Sequence, residues 1–202
     1  MLEQLKNIDT ELFLFLNGKH NTFFDQIMYW ASDKLFWLPF YLFIAIVLIR
    51  EYKKKSVYVF TAIALLITLC DQTASHLIKN LVKRLRPSHE PSLQNLIHLS
   101  EAGKGGQYGF ISSHSANAFG LATFLVLLLP SKYNWLKLVL IFWAFLVAYS
   151  RIYNGVHYPS DVIVAMFLGI FYGFLAKFIF SKFLINLFFI LFFNELNSIP
   201  IE

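Results

Sequence analysis

Three short clusters in the chain carry side chains that suit a phosphate group. The first runs from Lys79 to Pro87 and holds Lys79, Lys83, Arg84 and Arg86. The second, Phe110-Ile-Ser-Ser-His-Ser-Ala-Asn117, centres on Ser112, Ser113 and His114. The third, Ser150-Arg-Ile-Tyr-Asn-Gly-Val-His-Tyr-Pro-Ser-Asp161, supplies Arg151, His157 and Asp161. Arginine's planar fork pairs two phosphate oxygens at once, and lysine adds a point charge. Lys79, Arg86 and Arg151 together would neutralise a phosphoryl group and favour the charge that spreads over its equatorial oxygens during transfer. Ser112 and Ser113 stand where a helix begins, so backbone N–H groups there offer a second anion cradle. Pro159 suits the first turn of another helix. That places His157 just before the helix and Asp161 in its first turn. A carboxylate so placed can hold one ring nitrogen as N–H and leave the other free to attack phosphorus. His114 is then the general acid for the departing oxygen, a role its near-neutral pKa fits.

Taken singly, each piece has a plainer explanation. The Lys79–Arg86 cluster alone fits a basic helix end equally well. A lone histidine at a helix end is more often structural or solvated, and Asp161 alone fits helix capping. The glycine-rich stretch 103–109 is most simply a flexible loop, and it lacks the Gly-Lys-Ser/Thr ending of a nucleotide-binding loop. Asp71, Ser75 and His76 form a polar stripe that fits the filling of a bundle interior, since a mid-membrane acid costs about 2.5–3.5 kcal/mol. The conjunction of three clusters with complementary chemistry is what points to a site.

The elements that must position these residues are apolar. Of 202 residues, 57% are hydrophobic, 18% aromatic and only 14% charged, against roughly a quarter charged in soluble domains. A single integral membrane domain over 1–202, with its core motifs at 79–161, is the expectation. The first thirty residues include Glu3, Lys6, Asp9, Glu11 and Lys19 and do not resemble a cleaved secretory signal, so the N-terminus is expected to be retained. Cys70, the single cysteine, has no intramolecular partner and behaves as a small hydrophobe. The net charge of +5 falls at the ends of apolar runs, which makes it topology information rather than a nucleic-acid patch.

Residues 2–30 show helical apolar spacing broken at Asn17-Gly18 and read as two interfacial helices. Spans are expected over 35–49, 57–78, 115–129, 135–149 and 162–180, each near the ~20 residues that ~30 Å of hydrocarbon requires. The apolar stretch 183–193 either extends the last helix or lies at the interface. The predicted fold is all-α: a polytopic membrane helical bundle of about five to six transmembrane helices plus N-terminal interfacial helices. With five spans, the loops 79–114 and 150–161 share a side. The other side receives Arg50, Lys53, Lys54, Lys55, Lys132, Lys137 and Lys182, which marks it as cytoplasmic.

These residues resemble the type 2 phosphatidic acid phosphatase superfamily of membrane lipid phosphatases. Its signature is Lys-x6-Arg-Pro, then Pro-Ser-Gly-His, then Ser-Arg-x5-His-x3-Asp. The first part is matched by Lys79 through Arg86-Pro87 and the third by Ser150-Arg151 through His157 and Asp161, both with the family spacing. The second is partly matched: Ile111-Ser112-Ser113-His114 has Ile for Pro and Ser for Gly. The resemblance implies that His157 is phosphorylated, Asp161 orients it, His114 protonates the leaving group, and Lys79, Arg86, Ser112, Ser113 and Arg151 hold the phosphate. It implies no metal or other cofactor and a helical bundle with its site at the membrane surface.

The expected activity is therefore hydrolysis of a lipid phosphate ester or anhydride through a phosphohistidine. Undecaprenyl diphosphate is the first expected substrate. Lipid A, phosphatidylglycerophosphate and phosphatidic acid are the alternatives, with head-group choice resting on the 88–110 loop, including Gln94, His98, Lys104, Gln107 and Tyr108. The expected partners are a phospholipid or polyprenyl phosphate and the bilayer, with neither nucleic acid nor an obligate protein. The expected location is a bacterial inner (cytoplasmic) membrane, with the site facing the periplasmic or extracellular side. Two remoter readings are a vanadium haloperoxidase-like enzyme, against which the apolar spans argue, and a non-enzymatic lipid-binding membrane protein, which has no need of a His/His/Asp set.

Overall fold

The computed structural model of the chain describes residues 2–197, with side chains described over 3–183. Regular structure among them is helical, apart from an isolated bridge between Leu85 and Tyr108. Two amphipathic helices come first, α1 (Leu2–Asn17) and α2 (Thr22–Ser32). Leu5, Ile8, Leu12 and Phe15 lie exposed at three- and four-residue spacing along one side of α1, while Phe13 and Asn17 are buried on the other. Spacing of this kind gives a helix one apolar stripe. At the break before α2, Asn21 caps the new helix by accepting the Phe24 N–H at 2.9 Å.

α3 (Leu38–Tyr52) and α4 (Ser56–Asp71) follow. The helical stretches Leu38–Val82, Ser131–Tyr153 and Pro159–Phe183 are long and apolar enough to cross a membrane, and Ser113–Leu128 is a shorter apolar helix. The first stretch is not one rod. Lys53 takes φ 49°, a left-handed value that interrupts the helix, and the tight turn Lys53–Lys55 leads into α4. Beyond Asp71 the helix loosens into a π-helical segment, Gln72–Ile78, then closes as α5 (Lys79–Val82). Nothing in the expected 57–78 span foretells that loosening. π-Turns occur often beside functional sites, and Lys79 is the first residue after this one.

α6 (Ser113–Leu128) forms the centre of the bundle, against α8 (Pro159–Asn197), α7 (Asn134–Tyr153) and α4. It is covered on most sides: Ala116, Ala118, Phe119, Gly120, Ala122, Phe124 and Leu125 are all buried. The α6–α8 contact uses small residues at four-residue spacing, which lets backbones approach. A Cβ on Gly169 would lie 2.4 Å from the Ala116 carbonyl oxygen, and one on Gly173 2.8 Å from that of Gly120. The stretch 183–193 continues α8 as helix, the first of its two expected alternatives.

At the end of the bundle away from the three clusters, the α3–α4 and α6–α7 turns are tied together. Lys132 pairs with Glu51 at 2.6 Å, Tyr133 donates to Glu51 at 3.2 Å and Tyr52 to the Leu128 carbonyl at 2.7 Å. The helices thus separate a basic end from the end that gathers the candidate chemistry.

Candidate active site

The third cluster forms the turn between α7 and α8. Both Val156 and His157 donate backbone N–H groups to the Arg151 carbonyl at 3.2 Å, and Gly155 takes φ 76° to let the chain reverse. α8 starts at Pro159, so His157 and Asp161 stand four residues apart at its N-terminus. Asp161 Oδ2 lies 3.3 Å from His157 Nδ1 and accepts the Tyr158 N–H at 3.0 Å. Asp161 is fully buried and His157 almost so. A carboxylate at Nδ1 requires the proton there, which leaves the lone pair on Nε2. Burial, and then the cations of Arg86, Arg151 and Lys79, hold the His157 pKa well below its ordinary value, so the ring is neutral.

Arg86 is held by the first cluster and the glycine-rich loop together. Its Nε donates to the Tyr108 carbonyl at 3.1 Å and its backbone N–H to that of Gln107 at 3.0 Å. A Cβ on Gly105, at φ 66°, would sit 2.6 Å from Arg86 Nη1. The stretch 103–109 is therefore a wrap around a guanidinium rather than a free loop. Gly109 is equally constrained, since a Cβ there would meet Arg86 Cγ at 3.0 Å and Asp161 Oδ2 at 3.1 Å. Arg151 is buried at the end of α7, where Nη1 donates to Ser32 Oγ and Nε has no partner. An unpaired guanidinium N–H is costly to bury, and an anion would satisfy it. Lys79 makes no hydrogen bond or ion pair among the described residues, and it lies within Coulombic reach of Arg86, Asp71, Asp161 and Arg151.

The second cluster opens α6. Ser112 serves it differently from the expectation: its N–H donates to the Asp161 backbone carbonyl at 3.1 Å, and its Oγ accepts from the N–H and hydroxyl of Ser115 at 3.4 and 3.0 Å. Ser112 thus caps α6 and joins it to α8. The unpaired first-turn N–H groups belong to Ser113 and His114. The His114 ring is within Coulombic reach of Arg151, Lys34, His157 and Arg86. It also lies on the wall of an apolar cavity of about 410 Å³ that reaches into the bundle past Tyr41, Asn117, Leu121 and Trp143. The eight residues expected from sequence are gathered at one end of the bundle. They offer three cations, a neutral buried imidazole backed by a carboxylate, a second imidazole, and an apolar cavity beside it.

The 88–110 loop divides its residues between this site and another cluster. The carbonyls of Gln107 and Tyr108 hold Arg86, and the Lys104 backbone carbonyl accepts the Ser88 hydroxyl at 2.8 Å. His98 stands apart, bonded to Asp25 at 2.9 Å and stacked on His20 with ring centres 3.8 Å apart. His20, Asp25 and His98 have ligand atoms close enough to share a metal. The rings, however, are parallel to within 3°, so their in-plane lone pairs run side by side instead of converging on an ion. Asp25 is also engaged by the Tyr153 hydroxyl at 2.7 Å, and the trio acts as a polar staple. Asn17, read in sequence as a helix breaker, belongs to the same fastening. Its amide donates to the carbonyls of His98 and Tyr153 at 2.9 and 2.8 Å and accepts the His98 N–H at 2.7 Å. Sequence reasoning missed Gly109, Asp9 and the placement of Arg84, because each acts through a partner far along the chain.

A profile of the PAP2 superfamily matches residues 55–185. The chain is 40% identical to a lipid A 4'-phosphatase of Bacteroides thetaiotaomicron, over 90% of this chain and 81% of that one. It is 32% identical to a lipid A 4'-phosphatase of Porphyromonas gingivalis, over 85% and 72% respectively. Among solved structures it resembles the transmembrane PAP2-type phosphatidylglycerolphosphate phosphatase of Bacillus subtilis, with a TM-score of 0.66, 25% identity, and 89% of this chain and 87% of that one covered.

Proposed function

From the premise that the chain belongs to the PAP2 superfamily and is a membrane lipid phosphatase, we propose that it hydrolyses a phosphate monoester on an acylated sugar lipid of the lipid A type. The carrying observation for the substrate is 40% identity to a lipid A 4'-phosphatase over 90% of the chain. This identity supports lipid A over undecaprenyl diphosphate, the first expectation from sequence. A second observation favours the same order. Asn117 Oδ1 and Trp143 Nε1 are buried without partners, on residues lining the cavity beside His114. Unpaired polar atoms in an apolar space suit a lipid with hydroxyl, ester or amide groups next to its phosphate, which a polyprenyl chain lacks.

The reaction runs in two steps. Lys79, Arg86, Arg151 and the N–H groups of Ser113 and His114 bind the phosphoryl oxygens. His157 Nε2 attacks phosphorus, the bond from phosphorus to the lipid oxygen breaks, and His114 gives that oxygen its proton. Burial and then the charges of Arg151, Lys34 and Arg86 push the His114 pKa down from its ordinary value, and the bound phosphate's negative charge must offset that opposition for His114 to carry the proton. Water then attacks the phosphohistidine and yields its proton to His114. Orthophosphate departs, and His157 and protonated His114 are restored. Throughout, Asp161 holds the Nδ1 proton and offsets the charge that the imidazole acquires. The three cations fill the role that a divalent ion takes in other phosphoryl transfers, so the reaction needs no metal.

The test is phosphate release from lipid A, undecaprenyl diphosphate, phosphatidylglycerophosphate and phosphatidic acid in mixed micelles, with mass spectrometry of the lipid product. Lipid A losing one phosphate at the highest kcat/KM is expected. Preference for the diphosphate would overturn the substrate assignment. Acid-labile phosphate on wild type and on His157→Ala alike would overturn the nucleophile.

A further inference from the structure

Arg84 lies within the Lys79–Pro87 cluster, yet its guanidinium is engaged by the protein itself. Nη1 donates to Asp161 Oδ1 at 3.1 Å and to Ser160 Oγ at 2.7 Å, Nη2 donates to Asp9 Oδ2 at 2.7 Å, and the guanidinium carbon stands 3.8 Å from the Tyr158 ring centre. Asp9, from the buried side of α1, also accepts the Ser160 N–H at 2.9 Å and the Ser160 hydroxyl. We infer that Arg84, held in place by Asp9, is a positioning residue that locks the Asp161 carboxylate onto His157.

Asp161 is held through both of its oxygens. Oδ2 faces His157 Nδ1 and the Tyr158 N–H. That oxygen alone would leave the carboxylate free to turn, because the terminal torsion of aspartate is broad. Arg84 takes the other oxygen, Oδ1, through Nη1, while Nη2 is tied to Asp9 and the ring of Tyr158 lies under the guanidinium, so the rigid planar group presents that donor from a fixed place as a flexible lysine would not. With both oxygens held, Oδ2 stays on Nδ1, and the ring keeps the tautomer that presents Nε2. Asp9 completes the arrangement by giving Arg84 a second carboxylate and capping the first turn of α8 at Ser160. Arg84 thus spends its charge on two carboxylates and leaves phosphate binding to Lys79, Arg86 and Arg151.

The inference rests on the phosphohistidine reading, and one set of variants separates the two. Arg84→Ala and Asp9→Ala are purified in detergent and assayed for release of phosphate from the lipid, for competitive inhibition by orthophosphate, and for thermal unfolding. Arg84→Ala should lose kcat about 10- to 100-fold, the order that outer-shell hydrogen-bond partners carry at metal-ligating histidines, with KM and the orthophosphate Ki unchanged. Asp9→Ala should show a smaller loss of the same kind. Arg84→Lys should fall between wild type and Arg84→Ala, and millimolar guanidinium should restore part of the Arg84→Ala kcat. A raised KM or orthophosphate Ki would make Arg84 a phosphate ligand and overturn the inference, as would wild-type kcat in both alanine variants. Failure of guanidinium to restore any activity to folded Arg84→Ala would also count against it. If His157→Ala keeps turnover, the phosphohistidine reading itself fails. If His157→Ala is inactive while the Arg84 and Asp9 variants match wild type, only this inference fails.

Discussion

Gly109 shows how little space surrounds the paired His157 and Asp161. An added methyl would press on Arg86 Cγ at 3.0 Å and on Asp161 Oδ2 at 3.1 Å, so Gly109→Ala must shift a phosphate-binding side chain or the carboxylate behind the nucleophile. We expect it to fold and to lose about tenfold or more in kcat/KM, equivalent to ~1.4 kcal/mol of transition-state stabilisation, measured by phosphate release alongside a thermal melt. The charge environment of His157 gives a second prediction at this scale. Burial and the three cations disfavour its protonated form, so the acid limb of kcat/KM for the free enzyme should lie below the ordinary histidine pKa of about 6.5. Removing one cation relaxes that opposition, so Lys79→Gln should move the limb to higher pH even as it weakens phosphate binding. A limb that moves down or stays fixed would mean that His157 does not set it.

At the scale of elements, two fastenings hold the site, and each can be loosened separately. The α6–α8 contact has no room for a side chain at Gly169, where a Cβ would meet the Ala116 carbonyl oxygen at 2.4 Å. Gly169→Leu should part the helices that carry His114 and Asp161, destabilising the fold by ~1–3 kcal/mol as overpacking does, and lowering both melting temperature and kcat. Asn17→Ala removes the bonds from α1 to His98 and Tyr153, leaving buried groups unpaired at a cost of ~1–3 kcal/mol, read as a lower melting temperature. The sequence displayed the chemistry of the candidate site better than these fastenings. Lys79, Arg86, His114, Arg151, His157 and Asp161 were legible as candidates because their chemistry is unusual at the end of an apolar run. Asn17, Asp9 and Arg84 were not, since each has an ordinary local explanation and takes its role from partners more than seventy residues away. The π-helical segment Gln72–Ile78 before Lys79 was also hidden, because its side chains carry no mark of the backbone's hydrogen-bond register.

For the molecule as a whole, the separation of a basic end from the phosphate site carries the question of orientation. Lys53–Lys55 and Lys132 stand at the starts of α4 and α7, while Lys79 and Arg151 come after or at the ends of those helices. By the positive-inside rule the basic end is expected to face the cytoplasm, and we propose that the site faces out. In a Cys70→Ala background, a cysteine at position 104 should react with a membrane-impermeant maleimide in intact spheroplasts, and one at position 54 only after lysis. The reverse pattern would place the site inside. Activity of the purified protein should also persist in excess EDTA, because Lys79, Arg86 and Arg151 are assigned the charge of a metal; a loss that added magnesium restores would contradict this. The His20–Asp25–His98 staple and Asn17 bear on any attempt to change which lipid the protein accepts. The loop that begins at Arg86 is sewn to the first two helices, with the His98 carbonyl set where a Cβ on Gly155 would fall, 2.7 Å away. A chimera that imports a relative's loop alone would therefore arrive without its moorings, and residues 17–25 should be transplanted with it as one cassette.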